Sequence, residues 1–248
     1  LCNNKSLMIN NVIRCQQVSK SYGRQRVLDA IDIEVPEGMF FGLVGMNGSG
    51  KSTMIKSMLD LTAIDKGSIQ LFGESHRSVS ARTRVAYLPD RFSPPIHLKS
   101  RDFIQYMLRL HRSRKSVEDV HNMLEALGLD RSIMESSVRS LSKGMTQKLG
   151  LASCLLSDKS LMLLDEPMSG LDPMARVLFK KQLFEMKRRG ATLFFSSHVL
   201  ADVEELADRM AVLHENKILF QGACADFKQQ YSGSSLEDAY IKCVGKAI

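Results

Sequence analysis

The chain has 248 residues, 44% hydrophobic and 25% charged, a balance that suits one large or two small globular domains and excludes a disordered protein. No stretch reaches the roughly 18 to 20 consecutive apolar residues of a membrane span, and Leu1 to Asn11 lacks the apolar core of a signal peptide, so the sequence reads as one that stays in the cytoplasm. A formal net charge of +7 admits nucleic acid, an anionic membrane surface or a solvated surface. The densest basic run, Arg109 to Lys115, has no interleaved aromatics for stacking on bases, which favours a solvated helix face that a nearby cytoplasmic leaflet would attract mildly.

In chain order, the first forty residues read as β structure. Val12 to Val18 is a candidate strand, and Ile31 to Val35 alternates with period two before Pro36 and Gly38 stop it. Met39 to Val44 is a strand-like apolar run and Thr53 to Leu61 a helix-like one. Ser68 to Phe72 and Arg84 to Leu88 are further short strands, ended by Gly73 and Pro89. The pattern then turns helical. Phe103, Ile104, Met107, Leu108 and His111 share one face of a helix opening near Ser100. A second helix starts at Ser116 with Asp119 in capping-box spacing and closes at Gly128. Leu161 to Leu164 is an uninterrupted apolar strand, the pattern of burial on both faces of a parallel sheet. A helix follows from Asp172-Pro173 to Arg188-Arg189-Gly190, then a buried strand, Thr192 to Ser196, and a hairpin, Met210 to His214 with Lys217 to Gln221. Ser232 to Ser235 is linker-like and precedes a short helix, Leu236 to Val244. The five cysteines, Cys2, Cys15, Cys154, Cys224 and Cys243, are scattered without a C-x-x-C pair and read as reduced thiols.

Two motifs carry chemistry. Gly45-Met46-Asn47-Gly48-Ser49-Gly50-Lys51-Ser52 spells G-x-x-x-x-G-K-[ST] between a strand and a helix. Its glycines let the backbone curl around an anion so that successive N–H groups and the following helix, which opens through Thr53, point at phosphate oxygens. Lys51 adds a mobile charge and Ser52 a hydroxyl for Mg²⁺. The second motif is Asp165-Glu166 at the end of the apolar strand. Asp165 is placed to hold Mg²⁺ through water, and Glu166 to polarise the attacking water. His198, following the next buried strand, is a candidate for the γ-phosphate or for orienting water, although a histidine there is more often structural.

With these residues in place the chain resembles, over essentially its whole length, the nucleotide-binding subunit of an ATP-binding cassette (ABC) transporter. Gly45 to Ser52 is similar to the family's Walker A, Leu161 to Glu166 to its Walker B with catalytic glutamate, Ser169 to Asp172 to its D-loop, and His198 to its switch histidine. Tyr22 matches the aromatic that stacks on adenine, and Leu141-Ser142-Lys143-Gly144-Met145 falls where the family has LSGGQ. Lys143 and Met145 depart from that signature in a way that resembles the branch serving ABC-2-type export permeases, as does Leu236-Glu237-Asp238-Ala239-Tyr240. Asp90 stands where the family has a glutamine that touches metal and water, next to the apolar loop Phe92, Pro94, Pro95 and Ile96 where a permease helix is received.

The resemblance implies an α/β P-loop NTPase (RecA-like) parallel sheet core with an N-terminal antiparallel β subdomain and an inserted α-helical subdomain. The ABC ATPase domain would span 1–231, its core about 1–89 and 156–231 and its helical insertion about 90–155, with a linker and C-terminal helix at 232–248. It implies ATP and Mg²⁺ as cofactors, Glu166, His198 and Lys51 as catalytic residues, and Ser52, Asp165 and Asp90 at the metal. It also implies a homodimer in which Ser142 and Gly144 clasp the partner's ATP, an integral-membrane permease as partner, no nucleic acid, and a place at the cytoplasmic face of the cell membrane. The alternative is a soluble ABC-type ATPase acting on nucleic acid or ribosomes. Such proteins carry a long coiled coil between the Walker motifs or a second cassette, and no sustained heptads lie between Lys51 and Asp165.

Overall fold

The computed structural model describes residues 10–245; Cys2, most of the stretch read for a leader, and residues 246–248 lie outside them. In chain order the elements are β1 (Asn11–Tyr22), β2 (Gln25–Pro36), β3 (Phe40–Val44), α1 (Lys51–Met58), β4 (Lys66–Leu71), β5 (Glu74–Ser75), α2 (Val79–Arg82) and β6 (Val85–Leu88). The helical part follows with α3 (Ser100–His111), α4 (Val117–Ala126) and α5 (Lys143–Leu155), with two 3₁₀ turns at Arg131–Glu135 and Val138–Ser140. The chain then returns to β7 (Leu161–Leu164), α6 (Pro173–Arg188), β8 (Thr192–Ser197), α7 (Leu200–Leu206), β9 (Arg209–His214), β10 (Lys217–Gly222), α8 (Cys224–Gln230) and α9 (Leu236–Gly245).

The first strands form an antiparallel sheet in the order β2-β1-β4-β5. Strand β1 runs beyond the expected Val12–Val18 because its register shifts around Gln17, which sits at φ +51° and hides the period-two alternation. The bulge rests on Gly67, where any Cβ would lie 2.3 Å from the Gln17 carbonyl oxygen. The second sheet has the order β10-β9-β3-β8-β7-β6, with β9, β3, β8, β7 and β6 parallel and β10 closing the expected hairpin. Strands β3, β7 and β8 are buried along their whole length, so the apolar runs in the sequence serve two faces at once. Phe41, Leu43, Leu163 and Phe194 face one core, shared with the antiparallel sheet and α1; Phe40, Val44, Leu164 and Phe195 face the other, shared with the later helices.

Between β6 and β7 the secondary structure of the described residues is helical, as expected. Ser116 and Asp119 close a reciprocal capping box at α4, and Asp172 caps α6 through the Ala175 N–H with Pro173 in its first turn. Of the apolar loop before α3, Phe92 packs edge-on to Phe103 and over Gly150, whereas Ile96 is 60% exposed. The C-terminal helix α9 is part of the body rather than an appendage. Leu236, Ala239 and Cys243 lie at helical spacing and are buried, and Gly233 lets Ala239 approach where a Cβ would meet it at 2.5 Å.

Candidate functional site

The phosphate loop leaves β3 and enters α1 at the carboxyl edge of the parallel sheet, where α/β folds gather ligands. Its shape is set by backbone. A Cβ on Gly45 would stand 2.4 Å from the Leu213 carbonyl oxygen, and one on Gly50, at φ +110°, would stand 2.8 Å from that of Val27. Gly48 takes φ +84°. Gly50 is also the N-cap of α1 and offers no side chain to it, so the first N–H groups of the helix are left for an anion. Met46, Asn47 and Gly48 are exposed at the tip; Lys51 is buried beneath it. The Lys51 Nζ donates to the carbonyl oxygens of Gly45 at 2.8 Å and Met46 at 3.3 Å.

The acidic pair sits across from the loop, at the ends of β7 and β8. Asp165 is 1% exposed, and its Oδ1 accepts a 2.6 Å hydrogen bond from the Ser196 hydroxyl. That same hydroxyl oxygen accepts the Glu166 N–H at 2.9 Å. Glu166 takes φ +48°, a conformation few non-glycine residues adopt, and it lines the cavity whereas Asp165 does not. Glu166 Oε1 lies 3.1 Å from Lys51 Nζ, and Oε2 lies 2.8 Å from His198 Nδ1. Burial and the charges of Asp165 and Asp90 push the nearby Tyr87 hydroxyl up to about 12. A cavity of about 600 Å³ opens here, lined by Asn47, Gly48 and Gly50 to Thr53 on one side and by Asp90, Glu166, Ser169 and His198 on the other. The arrangement unites an anion cradle, a buried cation and a carboxylate hydrogen-bonded at one oxygen and ion-paired at the other, the parts that phosphoryl transfer to water uses.

A family model described as ABC transporter matches residues 28–169, from β2 through the phosphate loop and the acidic pair to Ser169. The chain belongs to the ABC transporter family. It is 37% identical over 215 residues to a Nod factor export ATP-binding protein I of Burkholderia pseudomallei, covering 84% of this chain and 69% of that protein. It is 32% identical over 219 residues to the bacitracin transport ATP-binding protein BcrA of Enterococcus faecalis, covering 86% of this chain and 70% of that one. The chain spans about two thirds of the length of the curated relatives it matches. A solved structure of an ATP-binding subunit of an ABC transporter superimposes with a TM-score of 0.85 at 27% identity, over 94% of this chain and 99% of that one. The chain thus groups with ABC transporter ATP-binding proteins, and the reading as a nucleic-acid or ribosome ATPase is set aside.

Within the ABC frame, the structure brings Lys51, Ser52, Thr53, Asp90, Glu166 and His198 to one cavity. Asp165 lies behind it, buried. Tyr22 is half-exposed at the end of β1 and outside the lining; the residue of that hairpin inside it is Val27. Gly45 is buried under the loop and Met46 turns to the neighbouring hollow shared with His214 to Asn216. Ser142 and Gly144 do not line the cavity either. Ser142 caps α5 by accepting the Met145 N–H at 3.2 Å, and Gly144 faces the D-loop, where a Cβ would be 3.5 Å from the Gly170 carbonyl oxygen. Ser196, Val27 and Gln147 escaped the sequence reading. Gln147 donates to the Pro167 carbonyl oxygen at 3.4 Å and so ties the signature helix to the residue after Glu166. A glutamine on the buried side of an apolar helix, or a serine ending an apolar strand, was the available signal.

Proposed function

We propose that this chain binds Mg²⁺-ATP, hydrolyses it, and powers a separate integral-membrane permease in export from the cytoplasmic face of the membrane. The observation that carries the reading is the Glu166 carboxylate, held between the phosphate-loop lysine and His198 at the mouth of the cradle. The names of the relatives, bacitracin transport and Nod factor export, support the direction and the membrane partner. Among the described residues no helix is long and apolar enough to cross a membrane.

The donors at the site suit Mg²⁺. Ser52 and Asp90 line the cavity and Asp165 stands behind it, all hard oxygen ligands. Among the described residues no cluster of three or more His, Cys, Asp or Glu could hold an ion unaided, and Mg²⁺ at phosphate sites needs only one or two carboxylates, with phosphate and water completing its shell. Bound there, it would neutralise charge on the β- and γ-phosphates. The chain's own residues do the rest. Phosphate oxygens compete for Lys51 and release Glu166 Oε1, which then accepts a proton from water attacking the γ-phosphorus as the bond to the β-γ bridging oxygen breaks. His198 holds Oε2 in place. Ser142 and Gly144, remote from the chain's own loop, serve a second copy's ATP in a head-to-tail homodimer.

Glu166→Gln tests both parts of this reading. The amide keeps the shape but cannot take the proton, so the variant accumulates as an ATP-loaded dimer on size exclusion and releases no phosphate. Adding Ser142→Arg returns it to monomer. A Glu166→Gln protein that stays monomeric at millimolar ATP and turns over normally overturns the proposal.

A further inference from the structure

Ser196 has a place in the site that its position in the sequence does not announce. It is the fifth residue of a fully buried strand, follows Leu193, Phe194 and Phe195, and has no exposed surface. A hydroxyl there is unfavourable unless bonded, and this one is bonded twice: it gives its only proton to Asp165 Oδ1 and takes the N–H of Glu166 on a lone pair. One oxygen atom therefore fixes the carboxylate of one acidic residue and the backbone of the next. The backbone it fixes is the left-handed one at φ +48°, which sets Glu166 between Lys51 and His198.

We propose that Ser196 is a positioning residue for hydrolysis, which keeps the two adjacent acids in separate roles: Asp165 turned inward behind the cavity and Glu166 turned out to the reacting water. The inference rests on the ATPase reading above. Without the serine oxygen, the Glu166 peptide loses the acceptor that holds it left-handed and relaxes toward the extended conformation. Its carboxylate then leaves the gap between Lys51 and His198. His198 comes from the end of the same strand, so β8 grips Glu166 twice, by main chain and by side chain.

The test is Ser196→Ala, with steady-state ATPase and hydrogen exchange of the Glu166 amide read together. The expected result is a kcat lower by about a hundredfold, the loss typical of a misplaced reacting group, with KM for ATP within about threefold. Exchange at Glu166 accelerates while the amides of β8 stay protected. A kcat close to wild type overturns the proposal, as does a joint rise in KM with loss of protection along all of β8, which marks general loosening. If the alanine variant does not fold, the wild-type protein decides: its nucleotide-free Glu166 amide is protected from exchange if the Ser196 bond holds it, and an unprotected amide overturns the assignment. A wild-type protein without any ATPase activity would instead sink the functional reading, while its exchange pattern still reported on Ser196.

Discussion

The phosphate loop and the acidic centre face one cavity but are made in different ways. The loop is eight consecutive residues whose glycines supply backbone angles and close approaches, so that its main-chain N–H groups can turn toward an anion. The acidic centre is assembled from side chains at the ends of β7 and β8, about thirty residues apart, and depends on the pairing that sets Leu164 beside Phe195. A contiguous motif carries its geometry with it; an assembled one inherits geometry from sheet register. Lys51 joins the two, since it bonds the loop's carbonyls and pairs with Glu166.

The largest effect is expected where the two regions meet. Lys51→Ala removes the buried ammonium from both and is expected to lower phosphate release at saturating ATP by a hundredfold or more, on the scale of losing a transition-state charge stabiliser. Activity above a tenth of wild type would show that the loop's dipoles suffice and that the regions are less coupled than their contact suggests. Substitutions within the loop sharpen the contrast by acting on stability. Gly45→Ala places a methyl 2.4 Å from a carbonyl oxygen and is expected to cost about 1–3 kcal/mol in urea unfolding. Gly48→Ala meets nothing within 4 Å and is opposed only by φ +84°, a penalty of about 1–2 kcal/mol. A Gly45→Ala midpoint equal to that of the wild type would mean that the loop moves aside freely.

The smallest effect belongs to α4, remote from both regions. The Ser116 hydroxyl and N–H hold the Asp119 carboxyl below its ordinary value. A depressed folded-state value means that the contribution is present above the unfolded aspartate range and is lost as the pH falls through the depressed one. Asp119→Asn is therefore expected to lower Tm by a few degrees at most at pH 7 and to make no difference near pH 2. A difference that persists in acid would assign the stabilisation to something other than the carboxylate.

Which parts of this molecule could be read in advance follows from the same contrast. The loop, the Asp165-Glu166 strand end and the capped helices α4 and α6 announce themselves through residues adjacent in sequence: glycines, a Ser-x-x-Asp box, an Asp-Pro start. Helices α7 and α8 do not. Each is seven residues long and opens on Val199 or Ala223, neither of which caps with a side chain, so nothing local marks where it begins. Strand β1 conceals its length behind the bulge at Gln17. At the site, Ser196 and Val27 were illegible for another reason: their roles depend on which strand lies next to which, and a serine or valine looks the same in the sequence whatever its neighbour.

The buried pair between Lys51 and Glu166, with side chains only 6% and 12% exposed, has a bearing on selectivity. The cradle meets an incoming anion with its lysine already neutralised, so occupancy is an exchange of one counter-ion for another. A singly charged anion replaces an ion-paired carboxylate at little gain, whereas a triphosphate brings several oxygens to the lysine and the loop's N–H groups together. In the proposed mechanism the protein's own carboxylate sets a threshold against small anions such as chloride, and the group that the nucleotide displaces is the one that then receives the proton from water.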